Sequence, residues 1–383
     1  MFLGKIAERN PRLIDAATKL HQQGILLPDT YIIDVPTMLE NAEMILAEAK
    51  KFGLNCIYMS KQIGRNADIG RMLEEMGYDG AVAVDFREAL HLADANLKIW
   101  NIGHLVQTPK TCLERLIPYG VTFITVYTVE KMREIDAIAR KHGVIQSIMV
   151  KVADQSCLIY DGQQSGFSLA ELAPLVVASA SMPNIKITGV TSFPCMLYNE
   201  LTKKIEKTGN FDLLLKAKMT LESLGCQIIE VNAPSSNTTG SMELAALNHA
   251  TTVEPGHALT GTTPYHAQHS DGEVPAIVYL TEVSHHYQNV SYCYGGGHYR
   301  RSHMKNAFVI SKDGKRESSL IEGPTDDNID YAFKLDRIFP VNSTVLCSFR
   351  TQIFTTRSHV ALIDARNEEP ILLGLYDAHG YRL

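Results

Sequence analysis

Three short segments of this chain hold residue types that do chemistry when brought together. The first is Lys61, which ends the largely apolar run "NCIYMSK" (55–61). An unpaired ammonium is costly to bury, so this amine must reach water, find a partner or lose its charge in a chemical bond. The second is "APSSNTTGS" (233–241), which runs into the helix-forming "MELAALNHA". Small hydroxyl residues at a helix N-terminus suit a dianionic phosphate through side chains, N–H groups and the helix dipole. The third is "VEPGHALTG" (253–261), where Gly256 lets backbone approach an anion and Glu254 supplies a carboxylate. Taken singly, each has an everyday explanation: a solvated lysine, an N-cap, a turn.

What brings them together is the order of elements. Eight β-rich runs, at 55–61, 80–85, 98–104, 122–128, 146–154, 184–193, 226–232 and 250–256, alternate with helix-period segments such as "TVEKMREIDAIARKHG". This pattern predicts an α/β fold, a parallel (β/α)8 TIM barrel, whose active face lies at the C-terminal ends of the strands. No GxGxxG follows the first strand, which argues against an open doubly wound sheet. After about residue 262 the helical period gives way to β-like pieces with DG and GGG turns, so a mainly β C-terminal domain follows the barrel. The expected organisation is an N-terminal helical segment (1–30) packing with the C-terminal domain, a barrel (31–261) and the β domain (262–383). The run "TYIIDV" is expected to pack with the C-terminal domain.

Composition narrows the function classes. With 45% apolar and 20% charged residues among 383, the chain has the balance of a folded globular protein. A net charge of −6 and the lack of a Lys/Arg stripe argue against nucleic acid as a partner. The first twenty residues, "MFLGKIAERNPRLIDAATKL", have the charge spacing of neither a signal peptide nor a membrane span. Seven scattered cysteines without a CxxC pair read as reduced thiols, which suggests a cytoplasmic protein.

On one barrel rim, an amine, a phosphate cradle and a carboxylate match what pyridoxal 5'-phosphate requires: a Schiff-base lysine, an anchor for its phosphate and a group tuning its pyridine nitrogen. The sequence also resembles the fold-type III pyridoxal-phosphate enzymes, which include alanine racemase, amino-acid decarboxylases and D-threonine aldolase. It is most similar to their YhfX branch, through "SKQIGRNADIGRMLEEMGYDGAVAVD", "VNAPSSNTTGS", "VEPGHALTGTTP" and "YCYGGGHYRR". The resemblance implies Lys61 as the internal-aldimine lysine and Glu254 as the partner of the pyridine nitrogen. It also implies Gly256, His257, Ser236, Asn237 and Thr238 as the phosphate cradle. Where the family often has a histidine after strand six, this chain has Ser192; where racemases carry an arginine after strand five, it has Gln164. Arg350 and Thr351 fall near the family's substrate-facing loop.

The reaction the resemblance implies is amino-acid racemisation by two-base α-proton transfer, Lys61 serving one face and, from the segment "NVSYCYGGG" that resembles the family's, a residue of a second subunit the other. Tyr292 is the first choice, with Tyr294 and Cys293 competing. A lyase, either decarboxylase or aldolase-like, and a non-catalytic cofactor carrier are the alternatives. No His/Asp spacing announces a metal site, and the resemblance implies a homodimer acting on a small-molecule substrate, an amino acid whose side chain the sequence does not identify.

Overall fold

The computed structural model describes residues 2–299, 301–325 and 327–383. Its parallel sheet runs from Asn55–Cys56 through Thr252–Val253, Glu230–Asn232, Ile185–Thr191, Gln146–Lys151, Phe123–Val126, Ile99–Ile102 and Ala81–Ala83 to Tyr58–Met59. The two ends of that order are halves of one strand, interrupted only at Ile57, whose N–H still donates to the Val253 carbonyl at 3.0 Å. The sheet therefore closes into the eight-stranded barrel that the alternation predicts. In the numbering of that barrel, strand one is 55–59 and strand eight is Thr252–Val253.

Local signals set the helices between the strands. The Asp85 carboxylate accepts the N–H groups of Arg87 and Glu88 and so caps Phe86–Asp94. Thr128 caps Val129–His142, which stops at Gly143 with φ 66°. Inside the barrel, a Cβ placed on Gly189 would stand 3.1 Å from Met149 Cγ and 3.3 Å from Glu230 Cβ. Met149, Gly189 and Glu230 therefore share the inward face, and the two-residue period of a strand turns Lys151 and Asn232 inward as well, at the C-terminal end.

The second sheet is antiparallel except for one pair. Six strands, Val290–Tyr294, Ala332–Leu335, Arg316–Glu322, Asn306–Ile310, Thr344–Cys347 and Ile277–Tyr287, come round on themselves through the pairing of the first with the last. Thr30–Asp34, His359–Asp364 and Ile371–Tyr376 extend it beyond Ile277–Tyr287. Helices Phe2–Arg9 and Pro11–Gln22 place Ile6, Leu13, Ala17 and Leu20 in one apolar core with Ile32, Val278, Leu346 and Ile363. Asn10 caps the second of these helices at Leu13 N–H, with Pro11 at its first position, and its amide reaches Asp34 Oδ2 at 3.1 Å.

The chain divides into two compact units, Met1–Glu43 with Lys61–Asn66 and His257–Leu383, and Met44–Ser60 with Ala67–Gly256. Thr30–Asp34 thus belongs with the β domain rather than with the 31–261 barrel range. It is buried on both faces and pairs with Ile277–Tyr287 on one side and His359–Asp364 on the other. No helix among the described residues is long and apolar enough to cross a membrane.

Candidate active site

In the barrel unit, the ends of strands seven and eight hold a carboxylate in a fixed direction. Glu254 is 5% exposed, and Asn232 Nδ2 donates to its Oε1 at 3.0 Å. Asn237 links the same two strand ends: its Oδ1 accepts the Glu254 N–H at 3.0 Å and its Nδ2 donates to the Ala233 carbonyl at 3.1 Å. The Asn237 amide is therefore used on backbone. Asn232 Oδ1 is buried and without a hydrogen-bond partner among the described residues, a buried acceptor left for a ligand to satisfy.

The hydroxyl-rich loop that follows is strained in a way its sequence does not announce. Ser235 and Ser236 have φ of 88° and 50°, both in the left-handed region that non-glycine residues rarely adopt. Ser236 makes no internal hydrogen bond among the described residues, whereas the Thr238 N–H is taken by Ser241 Oγ at 2.9 Å. Ser192, after strand six, is fully buried, and its hydroxyl lies 2.9 Å from the Val152 carbonyl and 3.4 Å from Asn210 Oδ1. It knits the barrel rim together. Gln164 is exposed and donates to Asp161 Oδ1 at 3.0 Å within its own loop.

The β-rich unit carries the amine. Lys61 does not end the strand as expected: strand one stops at Met59, and Lys61 is the second residue of a 3-10 turn, Ser60–Ile63. Gly64 follows at φ 71°, and a Cβ there would stand 2.9 Å from Val360 Cγ2. The Arg65 guanidinium then sits 4.9 Å from the centre of the Phe354 ring. Within this unit Lys61 is grouped with His257, Arg350 and Thr351. His257 Nε2 lies 2.8 Å from the Thr351 carbonyl, so that nitrogen carries the proton and donates. Burial, aided by the Arg350 and Lys61 charges and opposed by that hydrogen bond, holds His257 well below the usual imidazole range. Arg350 Nε and Thr351 Oγ1 are buried and find no hydrogen-bond partner among the described residues.

Strand alternation separates the competing acid/base candidates. The Tyr292 ring is half-buried and stacks on His285 with centroids 5.1 Å apart. Tyr294, on the same face of the strand, is 45% exposed. Cys293 points the other way, buried, with its thiol directed at the Phe333 carbonyl and pushed up to about 12 by burial. That thiol is a core group, ill suited to exchanging protons near neutrality. The adjoining GGG bend is required by close approach: a Cβ on Gly295, Gly296 or Gly297 would overlap the Asp330 carbonyl, Asp29 or the Tyr279 ring.

Three residues of the barrel went unread in the sequence. Asn232, which orients Glu254, stands inside the quoted motif but shows its role only through the pairing of strands seven and eight. His104, after strand three, is buried with its ring edge-on to Phe193 at 5.8 Å. Lys151, the last residue of strand five, is 3% exposed and donates to Ser165 Oγ at 2.9 Å over the face of Tyr127. Burial lowers its amine from the ordinary lysine value to about 8. The available signal for it was a lysine set in the apolar run "SIMVKVAD".

Comparison with known proteins agrees with this architecture. Residues 33–264 match the alanine racemase N-terminal domain and residues 278–372 the YhfX-like C-terminal domain. The chain is 40% identical over 385 residues to the uncharacterized protein YhfX of Escherichia coli K12, covering both chains completely. Solved structures of the same fold include a D-threonine aldolase from Filomicrobium marinum, with TM-score 0.65 and 14% identity over 92% of this chain and 94% of that one. They also include an alanine racemase from Clostridium difficile 630 in complex with cycloserine, at 0.62 and 15% over 92% and 99%. A Helicobacter pylori diaminopimelate decarboxylase complexed with L-lysine aligns at 0.62 and 12% over 92% and 93%. The chain belongs to the alanine racemase N-terminal domain family, a family of fold-type III pyridoxal-phosphate enzymes, and carries a YhfX-like C-terminal domain.

Proposed function

We propose that the protein is a pyridoxal-5'-phosphate-dependent amino-acid racemase. The observation that carries this reading is the Glu254 carboxylate, buried at the barrel rim and fixed by Asn232 at 3.0 Å. A carboxylate so held favours a protonated pyridine nitrogen. The residues fit the cofactor in other respects too. Asn232 Oδ1 and Thr351 Oγ1 are buried acceptors without partners among the described residues, and Ser236 leaves its N–H and hydroxyl unused in a left-handed turn. Ser236, Thr238, Gly256 and His257 are assigned to the phosphate, the last two through their backbone N–H groups, and the neutral His257 ring, whose Nε2–H is spent on the Thr351 carbonyl, adds no charge there.

Bound there, the cofactor supplies an electron-withdrawing ring that makes the α-hydrogen of an attached amino acid acidic. Lys61 would hold the cofactor through Nζ, and the same amine would exchange the α-proton on one face of the substrate. Arg350 and Thr351 are assigned to the substrate carboxylate, for which a guanidinium gives paired donors. Tyr292, from a second copy of the chain in a homodimer, is assigned to the opposite face. Its phenol keeps the exposure that Cys293 lacks.

Proton NMR in deuterated water tests the reaction. Incubating the cofactor-loaded protein with a panel of single-enantiomer amino acids is expected to exchange the α-hydrogen of at least one and to yield its mirror image. Release of carbon dioxide or of an aldehyde in place of the mirror image would make the protein a lyase.

A further inference from the structure

A buried ammonium needs a counter-charge, and Lys151 has none among the described residues. Its surroundings are the Ser165 hydroxyl at 2.9 Å and the Tyr127 ring, with its centroid 5.0 Å from Nζ. Tyr127 is itself kept protonated to about pH 12, mainly by burial, and its hydroxyl donates to the His104 carbonyl. Across the strand pairing from Lys151 lies Thr191, a neutral residue. Burial is what lowers the amine, and among the described residues neither a carboxylate nor a second cation acts on it. Next to it, Gln164 turns outward to Asp161, so the loop after strand five sends no cation of its own inward at that position. A desolvated cation with two neutral neighbours at an inward, C-terminal strand position marks the place of an anionic oxygen on a bound ligand.

We propose that Lys151 is the charge-balancing and positioning partner of the cofactor's phenolic oxygen. The inference rests on the pyridoxal-phosphate reading given above. The cofactor's own connectivity favours this assignment. Its phosphate arm and its phenolic oxygen leave ring carbons on either side of the one bearing the aldehyde. With the phosphate on the loop after strand seven, the phenolic oxygen would fall on the side of the ring away from that arm, and strand five lies two places round the barrel. The pairing requires the amine to hold its proton in the complex. Free Lys151 gives that proton up near pH 8, so cofactor binding above this pH must draw a proton from solution.

The experiment is calorimetric titration of the apo full-length protein with pyridoxal 5'-phosphate at pH 6.5 and pH 9, in buffers of different ionisation heat. Wild type, Lys151→Met and Lys151→Arg are compared. Protons exchanged at Lys61 are common to all three. The expected result at pH 9 is a proton uptake greater in wild type than in either variant by close to one proton, with no difference at pH 6.5. The balance between the cofactor's two visible and near-ultraviolet absorption bands should shift in Lys151→Met and be restored in Lys151→Arg, whose charge is permanent. Equal uptake and equal spectra in wild type and Lys151→Met would overturn the proposal. So would a difference that arises only when an amino-acid carboxylate is added, since the amine would then answer to substrate. If no variant, wild type included, develops a bound chromophore, the cofactor reading itself fails and takes this inference with it.

Discussion

Glu230 and Glu254 lie on adjacent strands of one closed sheet, at its opposite ends. Glu230 opens strand seven and is 2% exposed; its Oε1 accepts Trp100 Nε1–H at 3.1 Å, and Thr251 Oγ1 lies 3.5 Å from Oε2. Burial outweighs these hydrogen bonds and pushes its carboxyl up to about 7. Glu254 follows strand eight, where a carboxamide and a backbone tie anchor it among strained loop residues. The same side chain is thus a polar filling among packed neighbours at one end and an oriented acceptor at the other. Burial alone therefore does not mark a functional carboxylate. What sets Glu254 apart is the Asn232 acceptor beside it, which has no partner among the described residues.

Several substitutions would sharpen or break that contrast. The largest effect is expected at Lys61: Lys61→Ala should abolish both turnover and covalent retention of the cofactor, read by spectrum after gel filtration. Glu254→Gln should lower kcat on the order of 100-fold while leaving the melting temperature nearly unchanged. Glu230→Gln should do the reverse, and equal kinetic losses in the two would dissolve the distinction.

The stability effect at Glu230 has a definite sign. Its folded value lies above the ordinary 4.5, so the native state retains a proton that the unfolded chain releases between pH 4.5 and about 7. Stability from this group is therefore full below pH 4.5 and declines as pH rises through 7. Glu230→Gln should flatten that decline and gain up to about 3 kcal/mol above pH 7 in denaturant melts. Lys151 gives the opposite profile in the apo protein. Its folded value of about 8 lies below the ordinary 10.5, so its burden is greatest below pH 8 and fades by pH 10.5. Lys151→Met should raise apo stability by about 3 kcal/mol at pH 7 and by little at pH 10.5. The smallest effect is expected at Trp100→Phe, where losing one donor to Glu230 should destabilise by about 1 kcal/mol and leave catalysis alone.

The barrel was legible because its signal repeats: apolar runs alternate with helices, and Asp85 and Thr128 stand at helix starts. The candidate site was legible where residue type alone narrows chemistry, as in the lysine and the EPG turn. Geometry that depends on pairing was not. Lys151 reads as an interruption of an apolar strand until its inward face and the lack of a counter-charge among the described residues are seen. Tyr292, Cys293 and Tyr294 could not be ranked until the alternation put the thiol inside. Arg316–Glu322 and Ala332–Leu335 escaped notice because "RESSLIE" and "AFKL" bury only alternate residues and carry charge outside. The short hairpin of Met196–Asn199 and Lys204–Lys207 after strand six was hidden for a like reason: it is half-exposed and rich in lysine.

The central claim is most directly tested by reducing the cofactor-loaded protein with borohydride and mapping the pyridoxyl group by peptide mass spectrometry. The account predicts a single labelled lysine, Lys61, with Lys151 unmodified although burial lowers its amine to about 8. A pyridoxyl group on Lys151, or no fixed label at all, would contradict it.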